Sequence, residues 1–366
     1  MIKFFEPLIG KKETSLVNET IKSGWISSQG KIVEKFEKNF SKWHGVKYAI
    51  SSSNCTTALH LSLLCLGIGP GDEVICSNLT FIAPANMIEL TGAKLVLVDV
   101  DPKTFCMDLN QVKKKITNKT KAIMVVHPFG YPVDIKKIKK IIQKKNIKII
   151  EDVAESIGAK THGKLCGTLG DISCFSFFAN KIMTTGEGGM ILTNNKNIYN
   201  KARLLRDHGM STKKRYYHRL LAFNYRMTSM QAALGIAQLS RLKKILILKK
   251  KLHYFYKKNL RSANFELFPK FENKNSVNWF VTLTFNQKKL RDKFIVYMKK
   301  KGIECRPMIF PVSFADHFKL KYKHDEFLNS YKISLNSVHL PSSVCLKPNE
   351  LKKICNCINN WDESII

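Results

Sequence analysis

The chain of 366 residues is 44% hydrophobic, with apolar residues spread along its whole length. That excludes a disordered or low-complexity polymer and leaves room for two or three ordinary domains. The net charge of +33 comes from 61 basic residues, only nine of them Arg; with no Arg cluster and no zinc finger, solvated surface is expected and no nucleic-acid partner.

No stretch approaches the ~20 uninterrupted apolar residues of a membrane span, and MIKFFEPLIGKKETSLV holds no export signal, so a cytoplasmic chain with no membrane partner is expected. The ten cysteines form no CxxC pair and no zinc spacing, so neither a metal site nor a disulfide scaffold is expected.

In chain order, KIVEKFEKNFSK puts Ile32, Val33, Phe36 and Phe40 on one helical face. TTALHLSLLCLG is a buried helix with Asn54 and Thr56 as candidate caps. The short apolar runs EVICS, KLVLVDV, AIMVVH, IKIIED, ISCFSFF and GMILTN follow, with an amphipathic helix over 134–145 between the third and fourth. Continuous apolar runs separated by helices predict a mainly parallel sheet covered on both faces. Ligands in such sheets bind beyond the carboxyl ends of the strands. Asp152, His127, Phe81 and Lys181 follow four such ends, so an acid, a His, an aromatic and a Lys are expected on one rim.

Past residue 240 comes a Lys-rich helical stretch, then VNWFVTLTF, in which Val277, Trp279, Val281, Leu283 and Phe285 alternate like a half-buried antiparallel strand. KKLRDKFIVYMKKKG is an amphipathic helix ended by Gly302. The expected organisation is a large domain over 1–240 and a smaller α+β domain over 241–366.

Four segments bear chemistry. In FSFFANKIMTTGEGGM, Lys181 sits between three phenylalanines and a Gly-rich turn; burial would lower its pKa and ready a neutral amine for a Schiff base, although any one of 52 lysines is equally a surface group. Asp152 ends an apolar strand, where it could pair with a protonated ring nitrogen or simply cap a helix beginning at Val153. SSSNCTTALHL could offer helix N-terminal N–H groups to a phosphate, or be an ordinary capped helix. The polar run over 203–235 suits a loop that recognises a ligand or a second subunit, or a solvated connection.

Taken together, SGWISSQGKIVEKFE, SSSNCTTALHLSL, GDEVICSNLTFIA, EDVAESIGA, GDISCFSFFANKIMTTGEGGM and RDHGM continuing to NYRMTSMQAALG resemble, in order and over essentially the whole chain, the pyridoxal-phosphate-dependent nucleotide-sugar aminotransferases of the DegT/StrS type. The resemblance implies an α/β fold of fold type I, the aspartate-aminotransferase-like architecture. It implies Lys181 as the Schiff-base lysine, Asp152 as partner of the pyridine nitrogen and Phe81 as the stacking aromatic. Thr56, Thr57 and Ser176 match phosphate contacts, and Asn224 matches one donated by a second subunit, hence a homodimer with shared active sites. Glu155 stands near the cofactor's ring oxygen, where many relatives have His or Gln and perosamine-forming members tend to have Glu. Ser27, His127, Glu187, Tyr216, His218, Arg226, Arg306 and His317 are the expected substrate-side residues. Cys55 and Ala179 depart from positions where relatives often have Gly. Retention of Lys181, which a dehydrating branch replaces with His, favours amino transfer.

The expected reaction moves an amino group from L-glutamate to a nucleotide-linked 4-keto-6-deoxy sugar, GDP-4-keto-6-deoxymannose in the first instance, giving GDP-perosamine. A UDP- or dTDP-linked keto sugar, or a non-catalytic regulatory protein on the same fold, are the alternatives.

Overall fold

The structure is a computed structural model that describes all residues except 144, 212, 262–264, 269–274 and 363–366. The first half of the chain runs α1 (Lys11–Lys22), α2 (Lys31–His44), β1 (Tyr48–Ser52), α3 (Cys55–Cys65), β2 (Glu73–Ser77), α4 (Ala83–Leu90), β3 (Lys94–Val98), α5 (Leu109–Lys115), β4 (Thr120–Val126), α6 (Ile135–Ile142) and β5 (Lys148–Asp152). A two-residue hairpin follows, β6 (Lys160–Thr161) and β7 (Lys164–Leu165), then β8 (Ile172–Ser176), β9 (Gly189–Thr193) and α7 (Lys196–Arg206). The rest comprises α8 (Ser229–Asn259), β10 (Phe265–Phe268), β11 (Val281–Phe285), α9 (Lys288–Lys300), β12 (Arg306–Pro307), α10 (Leu328–Asn336), β13 (Ser337–Leu340) and α11 (Pro348–Asn359).

Seven strands form one sheet in the order β1-β9-β8-β5-β4-β2-β3. The pairs from β3 to β8 are parallel, while β9 runs antiparallel to both β8 and β1. The alternation along β4 shows why the runs are continuously apolar. Ile123 and Val125 join one core cluster, and Ala122, Met124 and Val126 join another on the opposite face. Both faces are covered by helices, so successive side chains are all buried. Val33, Phe36 and Phe40 of α2 are buried on one side, as their spacing predicts.

The second sheet is antiparallel, in the order β10-β11-β13-β12, with its own core from Leu252, Tyr256, Leu283, Phe294, Val338 and Ile354. The expected strand over 277–285 is shorter than its alternation suggests: β11 begins at Val281. Asn278 adopts φ +49°, and the N–H groups of Val277 and Trp279 bond instead to the carbonyls of Gly130 and Phe129. The 276–280 segment is therefore tied to the loop after β4. The 240/241 boundary falls inside α8, a single 31-residue helix. Its Leu242 and Ile245 pack in the core of the first sheet and its Leu252 and Tyr256 in that of the second. No described helix is long and apolar enough to cross a membrane.

Candidate active site

A cavity of about 450 Å³ opens at the carboxyl ends of the parallel strands. Its floor comes from four strand ends: Thr80 and Phe81 after β2, Val126 and Phe129 at β4, Asp152 and Glu155 at β5, Ser176 and Lys181 after β8. Trp279 and Phe280, just before β11, close it together with Arg306 and His339 of the second sheet, and the N-terminus of α3 forms one wall.

Lys181 lines the cavity. Its Nζ lies 3.8 Å from Glu155 Oε1 and 3.8 Å from the centroid of the Trp279 ring. Burial pulls the amine below the ordinary lysine range, while Glu155 and Asp152 push it back up. Burial raises the Asp152 and Glu155 carboxyls, against the opposing pull of Lys181. Asp152 caps no helix: residues 154–158 form a turn. One of its oxygens accepts the Ala154 N–H at 2.9 Å, and among the described residues no other hydrogen bond reaches the carboxylate. Glu155 holds the loop after β4 as well, for its Oε2 accepts the Phe129 N–H at 2.7 Å, and Phe129 itself is at φ +51°.

At the α3 wall, Asn54 is the N-cap and its side chain accepts the Thr57 N–H at 2.9 Å. The N–H groups of Cys55 and Thr56, on the cavity wall, are taken up by no hydrogen bond among the described residues. Such a helix start attracts an anion. Thr56 is thus at the mouth of the helix and not its cap. Thr57 is off the wall; its hydroxyl bonds to Asn54 O at 2.9 Å, so it shapes the turn. Phe81 is 60% exposed, its ring open to the cavity it lines. Cys55 and Ala179 are not among the residues at positive φ, so neither position needs glycine's conformational freedom.

Of the expected substrate-side residues, Glu187 and Arg306 line the cavity. His127 does not. Its ring is fully buried behind the strand end, with Nε2 3.1 Å from Glu151 Oε2 and Nδ1 accepting the Val133 N–H at 3.0 Å. The β4 end presents Phe129 to the rim in its place. Ser27, Tyr216, His218, Asn224, Arg226 and His317 are also off this wall. Arg226 pairs with Asp207 at 2.9 Å and bonds Asn224, His218 bonds the His208 carbonyl, and His317 bonds Asn86. Trp279 and His339 are on the wall and were not anticipated. The alternation of VNWFVTLTF marks Trp279 as core, and nothing in SVHL sets His339 apart.

Residues 7–359 match the DegT/DnrJ/EryC1/StrS aminotransferase family. The chain belongs to it. It is 39% identical over 360 residues, 98% of each chain, to the GDP-perosamine synthase of Escherichia coli O157:H7, and 40% identical over 355 residues, 95% of each chain, to that of Caulobacter vibrioides. Spr1654 of Streptococcus pneumoniae, solved in its PLP-form, superposes with a TM-score of 0.92 at 27% identity, covering 98% of this chain and 97% of that one. The chain is a fold-type I, PLP-dependent sugar aminotransferase.

The residues present fit pyridoxal phosphate (PLP). A buried carboxylate with one hydrogen bond suits a cationic ring N–H, a half-exposed phenyl face suits a flat ring, and a helix start with free N–H groups beside Ser176 suits a phosphate.

Proposed function

We propose that this aminotransferase moves the amino group of L-glutamate to C4 of GDP-4-keto-6-deoxymannose, giving GDP-perosamine. One observation carries the amino-transfer chemistry: the Lys181 amine stands, buried, between Glu155 and the Trp279 ring at the strand-end rim that also bears Asp152. The choice of acceptor is supported by near-full-length similarity to GDP-perosamine synthases.

When bound, PLP supplies an electron-withdrawing ring that makes the Cα proton of an attached amino acid acidic. Lys181 holds the cofactor and is the acid–base. Its Nζ would take the Cα proton from the donor and later give one to the acceptor's C4, and burial, by lowering its pKa, enlarges the share of that amine that is neutral and able to accept a proton. Asp152 would hold a protonated ring nitrogen. Thr56, Ser176 and the start of α3 would hold the cofactor's phosphate, with Thr57 bracing the turn, and Phe81 would offer its face to the ring. Glu187 and Arg306 face the substrates.

A homodimer with shared sites is part of the same reading. Asn224, Tyr216 and His218 lie outside their own cavity, and the segment that bears them carries Leu221 at 93% exposure. In a second copy they would complete the neighbour's site, Asn224 toward its phosphate. The ten described thiols, all free, accord with a cytoplasmic setting.

The test is the visible spectrum of the purified protein with and without L-glutamate, followed by keto sugars offered side by side. A band that bleaches with glutamate, is absent in Lys181→Ala and is restored by GDP-4-keto-6-deoxymannose fits the proposal. Preference for a UDP- or dTDP-linked sugar would overturn the acceptor, and a protein that stays colourless with added PLP would overturn the chemistry.

A further inference from the structure

Lys249, on α8, is fully buried, and among the described residues no carboxylate pairs with it. Its Nζ donates to the carbonyl of Trp279 at 2.8 Å and to that of Ser342 at 2.5 Å, and it lies 5.0 Å from the Phe5 ring centroid. Burial pushes its pKa down to about 7, against a slight upward pull from Cys345. A Lys in such a place costs folding free energy that a Met or Leu of similar length would not. Either protonation state keeps at least two N–H donors, so both carbonyls stay served.

Trp279 is the residue that this placement fixes. Its backbone N–H donates to Phe129 O at 3.1 Å, its carbonyl accepts from Lys249, and its indole Nε1 donates to Asn180 O at 2.7 Å. All three polar groups of the residue are engaged, so the indole has little freedom to turn. Its second ring neighbour, Phe280, stacks at 3.7 Å between centroids. The indole face held in this way is the surface over which Lys181 Nζ sits.

We propose that Trp279 is the face on which the Lys181 amine rests, and that Lys249 is a positioning residue that holds Trp279 there from α8. The cation–π contact favours the charged amine, and the ring shields it from solvent; loosening the ring raises both the neutral fraction and the access of a reagent. The inference rests on the proposed function only in taking Lys181 as the reacting amine.

The test reads that amine directly, with no activity assay. The full-length chain freed of cofactor is acetylated with trace acetic anhydride at neutral pH, and the Lys181 peptide is quantified by mass spectrometry against exposed Lys136. Lys249→Met and Trp279→Leu are each expected to speed modification of Lys181 by about two- to thirty-fold. The double variant is expected to be no faster than Trp279→Leu alone, because one acts through the other. A Lys249→Met protein with a lowered melting temperature and an unchanged Lys181 rate would make Lys249 merely structural, and so would fully additive rates. Should Lys249→Met fail to fold, an unchanged rate in Trp279→Leu overturns the proposal by itself. PLP binding is not read, so failure of the aminotransferase reading would show separately, as a protein that takes up no cofactor.

Discussion

Gly189 offers the most direct probe of the phosphate end of the site. It opens β9, paired with Ser52 on one side and Ser176 on the other. A Cβ at this position would stand 2.5 Å from the Asn54 carbonyl carbon, 2.6 Å from Ser52 Oγ and inside contact distance of Asn54 O. Ordinary contacts between such atoms are ~3.5 Å, so the Asn54 carbonyl must retreat by about 1 Å. That oxygen accepts the Ala58 N–H at 3.2 Å, the first bond of α3, together with the hydroxyls of Ser52 and Thr57. Gly189→Ala therefore displaces the start of the helix that carries Thr56. Overpacking of this kind costs about 1–3 kcal/mol. If it falls on cofactor binding, the PLP dissociation constant rises about 5- to 150-fold.

The control lies in the same turn. Gly186 has φ +80°, and no atom within 4 Å of a built Cβ. Gly186→Ala strains the backbone by about 1–2 kcal/mol but pushes on nothing. PLP titration of the cofactor-free chains, followed at the visible band beside thermal melts, separates the two. Gly189→Ala is expected to lose affinity and Gly186→Ala only stability. Wild-type affinity in Gly189→Ala would refute the assignment of the α3 start to the phosphate.

Asp152→Asn is expected to bind PLP yet slow the glutamate half-reaction by about 10²–10³-fold, seen as the rate of bleaching in stopped flow. For acid stability, burial pushes the His44 pKa from 6.5 down to about 3, so the unfolded chain binds the proton first as pH falls; the stabilisation is full above pH 6.5 and is lost toward pH 3. At pH 5 this one residue costs about 2 kcal/mol, and His44→Phe, in a site already walled by Phe40 and Phe175, should flatten the fall of melting temperature between pH 7 and 5. Mixing Lys181→Ala with Asn224→Ala chains should restore activity that neither has alone, since one of the two sites in a mixed dimer would be intact; no recovery after subunit exchange counts against shared sites.

Much of the first sheet was legible because its physics is local. Runs such as AIMVVH are apolar at every position only when both faces are covered, and α2 announces its buried face by spacing. Lys181 and Asp152 stood out as ionisable groups in apolar surroundings. What stayed hidden depends on contacts distant in sequence. The alternation in VNWFVTLTF fits a strand, yet the N–H groups of Val277 and Trp279 find better partners in the loop after β4, so the strand starts late and Trp279 turns to the cavity. Asp152 has the composition of a helix cap, but the chain turns instead of coiling, and the carboxylate is left to the cavity.

His127 shows the limit most sharply, and the reason lies in the adjacent acids Glu151 and Asp152. On a strand, successive side chains face opposite ways. Asp152 faces the cavity with one hydrogen bond. Glu151, one step back, is buried in the scaffold and accepts the N–H groups of Gly167, Leu169 and Gly170 as well as His127 Nε2. Burial alone would raise its carboxyl, but His127 and those N–H groups outweigh it and hold the pKa below the ordinary range. His127 is drawn to the more demanding of the two acids. Because its Nδ1 accepts the Val133 N–H and its Nε2 faces Glu151, the ring is locked between two fixed groups. Such a histidine fastens β4 to β5 and has no nitrogen left for a substrate. Residue type identified it as a candidate; only the side of the strand on which its acid lies decides what it does.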